Sequence, residues 1–331
     1  MGFGVVSLLN AVFRHMFTSA GLRPASATVD ADDTTIHFWT HPSLLQPSSE
    51  QQQPLPPRPV VVLIHGFGPD PTWQWAAQAG PLSRHFDLVV PTLLFFGASS
   101  TRAPARSDAF QAAALAALLD GGGGHLPGLG AGRAVHVVGT SYGGLVAYHL
   151  ARELHRRGGG ARAGKVALCD SDACKGTEDD RALAARTGVA EVTELLAPAD
   201  TRALRRLMAV CAHRPVKYIP ECLLRDMLRK YFGDKREDKI ALIKGITTGE
   251  GFQLAPLPQE VLIIWGEFDQ IFPVEKAHKM KEKLGKKATV KVIPNTGHLP
   301  QQEDPKLFNQ ILLDFLLHPA TSNGSAAAAA K

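Results

Sequence analysis

The sequence predicts an α/β chain: a mostly parallel central sheet, helices on both faces, and a helical cap inserted before the penultimate strand. Three observations lead there. Short apolar runs alternate with helix-period segments along most of the 331 residues. The runs are continuous rather than alternating, as strands buried on both faces require. The stretch 175–257 interrupts the alternation with helical material alone.

At 45% hydrophobic and 20% charged residues, the chain suits one large core better than two independent ones. It divides into an amphipathic N-terminal segment (1–24), a first core part (25–174), the cap (175–257), a second core part (258–318) and a disordered tail (319–331). The first segment, GFGVVSLLNAVFRHMFTSAGLRP, lacks a basic run before its apolar part and is too interrupted to span a bilayer. Gly2 invites myristoylation, but Val6 stands where that motif needs Ser or Thr. Three readings stay open: a helix packed on the domain, a helix making peripheral contact with a membrane, and an organelle transit segment with only Arg14 and Arg23 basic. The polar, proline-rich run 46–59 reads as a surface loop.

Strands are then expected at 60–64, 87–91, 134–138, 166–169, 261–265 and 290–293, and helices at 109–119, 145–156, 274–284 and 305–317. Two glycine-rich patches, 120–133 and 158–164, precede strands instead of opening helices. They read as loop insertions rather than phosphate cradles, and no nucleotide cofactor is expected. The tail carries an Asn323-Gly-Ser sequence that would matter only outside the cell.

Charge and cysteines narrow the partners. A net charge of +5 is small for this length, so no nucleic acid is expected. Residues 201–250 hold twelve Lys or Arg against six Asp or Glu, and so carry the whole basic excess. That segment reads as solvated faces of amphipathic helices, or as a rim attracting anionic substrates or lipid headgroups. Cys169, Cys174, Cys211 and Cys222 form neither a disulfide framework nor paired metal-type spacings, so a reduced, intracellular and cytoplasmic setting without a metal is expected.

The chemistry begins at GTSYGG, 139–144, which follows an apolar run and precedes a helix-period segment. Strand, tight glycine-flanked turn and helix are the setting of a nucleophile elbow around Ser141. A serine hydroxyl needs a base, and the base needs an orienting acid. WGEFD, 265–269, places Asp269 just past a strand, and NTGH, 295–298, places His298 just past the next. In an open α/β sheet those strand ends gather on one edge, so the three can meet. Asp170 and Asp172, after the strand following the elbow, compete as the acid. Glu267 and His278 read as surface residues, and Asp304, before Pro305, as a helix N-cap.

HGFG at 65–68, GTSYGG, WGEFDQIFP at 265–273 and NTGHLP at 295–300 occur in an order that resembles the α/β-hydrolase superfamily. Within it the chain looks like a plant-type member of the lidded monoacylglycerol lipase-like and C–C hydrolase-like branch, over about 60–317. The resemblance implies the α/β-hydrolase fold, Ser141 as nucleophile, His298 as base and Asp269 as its acid. It also implies an oxyanion hole made by the backbone N–H groups of Phe67 and Tyr142, with His65 bracing the loop. Ser141 stands where dehalogenase and epoxide hydrolase relatives carry aspartate, which removes those chemistries. Thr140 replaces a common histidine, and LLFFG, 93–97, lacks the acid of the usual Asp-Xaa-Xaa-Gly loop. Phe95 and Phe96, with Trp73 and Trp75, therefore either line an acyl pocket or pack the core. The activity implied is serine carboxylester or lipase-like hydrolysis of a small-molecule or lipid-like ester, with medium or long acyl chains. The alternatives are hydrolysis of a C–C bond in a diketone-like substrate and a small-molecule receptor on the same fold.

Overall fold

The computed structural model describes residues 4–47, 58–120, 124–130, 133–158, 163–247 and 251–318. Its strands are β1 (Arg23–Thr28), β2 (Thr35–Thr40), β3 (Val60–Ile64), β4 (Asp87–Pro91), β5 (Val135–Thr140), β6 (Ala163–Cys169), β7 (Val261–Gly266) and β8 (Ala288–Ile293). They form one sheet in the order β1-β2-β4-β3-β5-β6-β7-β8. From β4 to β8 every pairing is parallel, while β1 and β2 form an antiparallel hairpin that joins β4 antiparallel. That is the α/β-hydrolase fold.

Helices α1 (Val5–Ser19), α2 (Pro42–Leu45), α3 (Pro71–Ser83), α4 (Asp108–Leu118) and α5 (Tyr142–Gly158) precede the cap. Between β6 and β7 run α6 (Thr177–Thr187), α7 (Val192–Leu196), α8 (Thr201–Cys211), α9 (Glu221–Met227) and α10 (Arg236–Lys244). Helices α11 (Glu275–Leu284), α12 (Pro300–Glu303) and α13 (Pro305–Leu317) come after β7.

Side chains on a strand alternate between faces, and β3 feeds two cores in this way. Val60, Val62 and Ile64 join Leu115, Val146 and Met280 of α4, α5 and α11. Val61 and Leu63 join Phe17, Trp75, Leu82 and Phe308 of α1, α3 and α13. A third cluster lies in the cap, where Leu204, Leu207, Leu224 and Met227 meet Val6 of α1. Some basic side chains of the cap pair with nearby acids, as Arg205 does with Glu221 and Arg229 with Asp226, while Arg206, Lys235 and Lys239 bond backbone carbonyls.

Helix α1 packs on the domain by one face. Val6, Asn10 and Phe17 are buried, and Asn10 Oδ1 accepts hydrogen bonds from Trp73 Nε1 and the Tyr231 hydroxyl. Val5, Leu8, Val12 and Met16 remain exposed on another. Among the described residues no helix is long and apolar enough to cross a membrane.

The β1–β2 hairpin, α3 and the four-residue helices α2 and α12 escaped the sequence reading. In the hairpin β2 is buried on alternate residues and β1 is at most half-buried, so neither contains a continuous apolar run. Helix α3 is buried around much of its circumference and contains Gly80 and Pro81, which obscure a helical period. Its start was nonetheless marked, because Asp70 caps it by accepting from Thr72 N at 2.9 Å and Pro71 occupies the first turn. The tail 319–331, the centre of the proline-rich run (48–57) and parts of both glycine-rich patches lie outside the described residues.

Candidate active site

Ser141 occupies the step between β5 and α5 with φ of 53°, a left-handed conformation that costs about 1–3 kcal/mol for a residue with a side chain. Its neighbours are glycine for lack of space. A Cβ on Gly139 would lie 2.1 Å from the Gly143 carbonyl oxygen, and one on Gly143 would lie 2.4 Å from that of His65. Ser141 N donates to Cys169 O at 2.8 Å, fastening the turn to the end of β6. The register sets Ile64 beside Gly139 and Thr140 beside Cys169, so the loops after β3, β5 and β6 open on the same edge.

Three residues far apart in sequence meet there. His298 Nε2 lies 2.9 Å from Ser141 Oγ, and His298 Nδ1 lies 2.8 Å from Asp269 Oδ2. A carboxylate can only accept, so Nδ1 carries a proton and Nε2 is left to take the serine's. Asp269 Oδ1 accepts from the N–H groups of Ile271 and Phe272 at 2.7 and 3.0 Å, which fixes the carboxylate. The His298 backbone N–H donates to Cys211 O at the end of α8, tying the histidine loop to the cap. The arrangement can pass a proton from serine to imidazole while keeping the resulting charge beside a fixed anion.

The HGFG loop is braced from two sides. His65 Nδ1 donates to Gly66 O at 2.8 Å, and Nε2 accepts from Leu93 N at 3.0 Å. Complete burial lowers its pKa to about 4, so it stays neutral and structural at neutral pH. Gln74, on the unrecognised α3, accepts from Gly66 N and donates to the Gly66 and Pro69 carbonyls. Among the described residues, the Phe67 and Tyr142 backbone N–H groups have no carbonyl partner. The two rings meet edge to face with centroids 5.2 Å apart.

The remaining candidates separate. Asp170 is fully buried with φ of 44° and lies against Asp269. Asp172 belongs to an ion-pair cluster, with Lys276 between it and Asp179. Glu267 is exposed and accepts from Asn295 N, His278 is exposed on α11, and Asp304 caps α13 by accepting from Leu307 N.

A cavity of about 190 Å³ opens above Ser141 and His298, bounded by Trp73, Leu204, Leu207, Met227 and Phe232. Trp73 is thus a wall of it. Phe95 and Phe96, expected as further walls, are instead core residues, each 3% exposed. Phe96 stands behind Phe67, with ring centroids 5.2 Å apart. Trp75 is also core, packed near Phe308 on the far face of the sheet. The loop after β4 turns inward, which a sequence lacking its acidic residue does not reveal.

Fold and geometry together define an α/β hydrolase. The profile of the alpha/beta hydrolase family matches residues 61–311, and the chain belongs to that family. It is 32% identical over 260 residues to the dihydrolipoyllysine-residue acetyltransferase component of an acetoin cleaving system from Cupriavidus necator. That match covers 76% of this chain and 62% of the relative, so the chain spans less than two thirds of that protein's length. Among solved structures, a bacterial membrane phospholipase A superposes with a TM-score of 0.70 at 22% identity, covering 94% of this chain and 91% of that one. The 2-hydroxy-6-oxo-6-phenylhexa-2,4-dienoate hydrolase of Rhodococcus sp. strain RHA1 gives 0.65 at 19% identity, over 88% and 98%. A thermophilic esterase from Thermogutta terrifontis gives 0.61 at 24%, over 89% and 98%. These likenesses concern the fold.

Proposed function

We propose that the protein is a serine hydrolase of carboxylic esters working through an acyl-enzyme. The observation that supports this most is the contiguous chain of hydrogen bonds from Ser141 Oγ through His298 to Asp269. In the proposed cycle Ser141 Oγ attacks the acyl carbonyl and its proton passes to His298 Nε2. The tetrahedral oxyanion sits between the N–H groups of Phe67 and Tyr142, the second at the N-terminus of α5, where partial positive charge gathers. Collapse expels the alkoxide, which takes the proton from His298. A water molecule then repeats the sequence and frees the acid.

The cavity supports a short or medium acyl group rather than a long one, since its 190 Å³ is below the roughly 300–1,000 Å³ of pockets for larger ligands. Hydrolysis of p-nitrophenyl esters of increasing chain length, with fluorophosphonate labelling of Ser141, tests the reading. Serine-dependent turnover supports it. Labelling without ester turnover would transfer the same three groups to C–C bond hydrolysis.

A further inference from the structure

Asp170 is a second buried carboxyl group touching the proposed proton relay, and nothing in the cycle above uses it. It is fully inaccessible to solvent, at the end of β6, in a left-handed conformation. One of its oxygens, Oδ1, accepts the Gly266 N–H at 2.8 Å. The other, Oδ2, is buried and faces no donor. A carboxylate oxygen of Asp170, one of Asp269 and a nitrogen of His298 all lie within 4.8 Å of one another. Two carboxylates this close in a dry site cannot both hold a full charge, and the charge will rest where more donors converge. Asp269 has three: the N–H groups of Ile271 and Phe272 and the Nδ1–H of His298. Asp170 has one.

We propose that Asp170 is a neutral carboxylic acid whose Oδ2–H donates to Asp269, bracing from outside the carboxylate that orients His298. In this arrangement Asp170 is a positioning residue. It never touches substrate; it supplies Asp269 with a fourth donor and holds the carboxylate square to the imidazole. The other groups facing it agree in sign. Glu303, which accepts from Gly297 N and His213 N, adds negative potential, and Cys169 beside it is a buried thiol. Burial and Asp269 both drive the Asp170 pKa well above the usual carboxylate range. Lys276 of α11 is committed to Asp172 and Asp179, and Lys175, further along the loop after β6, to Asp180.

Asparagine can perform both functions at this position, with its oxygen on Gly266 N–H and its amide N–H on Asp269, and it is always neutral. The proposal rests on Ser141 and His298 acting as nucleophile and base, so the test reads that step without assuming a substrate class. In fluorophosphonate labelling, Ser141 Oγ bonds phosphorus, fluoride leaves and the hydroxyl proton goes to His298. Its rate against pH would be measured for the wild type, Asp170→Asn and Asp170→Ala. The expected result is that Asp170→Asn keeps the wild-type rate within about threefold and leaves the acid limb in place, because neutral replaces neutral. Asp170→Ala should react about 10-fold or more slowly, from loss of a hydrogen bond to a charged acceptor. An acid limb that falls by about one unit or more in Asp170→Asn would overturn the proposal, because it would mean that a negative charge beside His298 had been removed. A wild type that fails to label at any pH would remove the serine reading itself, and this proposal with it.

Discussion

At the scale of single residues, burial keeps the histidines that hold the frame neutral. His65 and His136 are both buried and both have pKa values lowered to about 4, His65 by burial and His136 by burial with Lys165 nearby. The unfolded chain binds their protons near pH 6.5 and the folded chain does not. Their contribution to stability is therefore complete above that pH and is lost as pH falls toward 4. Each shift of this size is worth on the order of 3 kcal/mol. His136, whose Nδ1 accepts the Lys165 N–H at 2.8 Å, is far enough from Ser141 to be tested alone. Replacing it with Gln should flatten the decline of urea-unfolding stability between pH 6.5 and 4 while leaving labelling of Ser141 intact. An unchanged slope would count against a neutral buried imidazole. Residues of this kind are illegible in a sequence, since a histidine in an apolar run looks the same whether it is satisfied, charged or catalytic. Ser141, Asp269 and His298 were legible because each follows a strand at a turn with glycine or a small residue nearby.

Among the elements, α1, α3 and the cap act together. Asn10 of α1 receives hydrogen bonds from Trp73 at the cavity wall and Tyr231 of the cap, so one amide oxygen joins three elements. Asn10→Leu removes the acceptor and strands two donors, the buried Tyr231 hydroxyl and the half-buried Trp73 Nε1–H. It should cost about 2–4 kcal/mol in urea unfolding, and on the proposed function it should raise KM more than it lowers kcat, since Trp73 lines the cavity away from Ser141 Oγ. Wild-type stability in this variant would show the contact to be idle. In the cap, Leu207 on α8 faces the cavity. Leu207→Trp should shift preference among p-nitrophenyl esters toward shorter chains, with little change for the acetate. The cap was readable as helical but not as a pocket, because which side of an amphipathic helix meets substrate depends on what lies beneath it. The exposed ridge of Val5, Leu8, Val12 and Met16 on α1 was equally invisible, as only the packed structure distinguishes the two apolar faces.

For the whole molecule, the parallel sheet follows directly from continuous β-branched runs separated by helical segments, and β3 to β8 all lie where those runs occur. The antiparallel hairpin at the edge followed another rule, with β2 buried on alternate residues and β1 largely exposed, and was therefore missed. The sheet brings the ends of β3, β5, β6, β7 and β8 to one edge, and this is why the HGFG loop, Ser141, Asp170, Asp269 and His298 converge although they span more than 200 positions. The proposed function depends on that edge, and the most direct test of it is serine-dependent ester hydrolysis. Turnover of p-nitrophenyl butyrate should be measured for wild type and for Ser141→Ala, with matched unfolding curves. The expected result is saturable turnover in the wild type and a loss of about 10³-fold or more in a variant that folds normally. Equal turnover by the two proteins would contradict the account, because the hydrolysis would then owe nothing to the serine on which the whole edge converges.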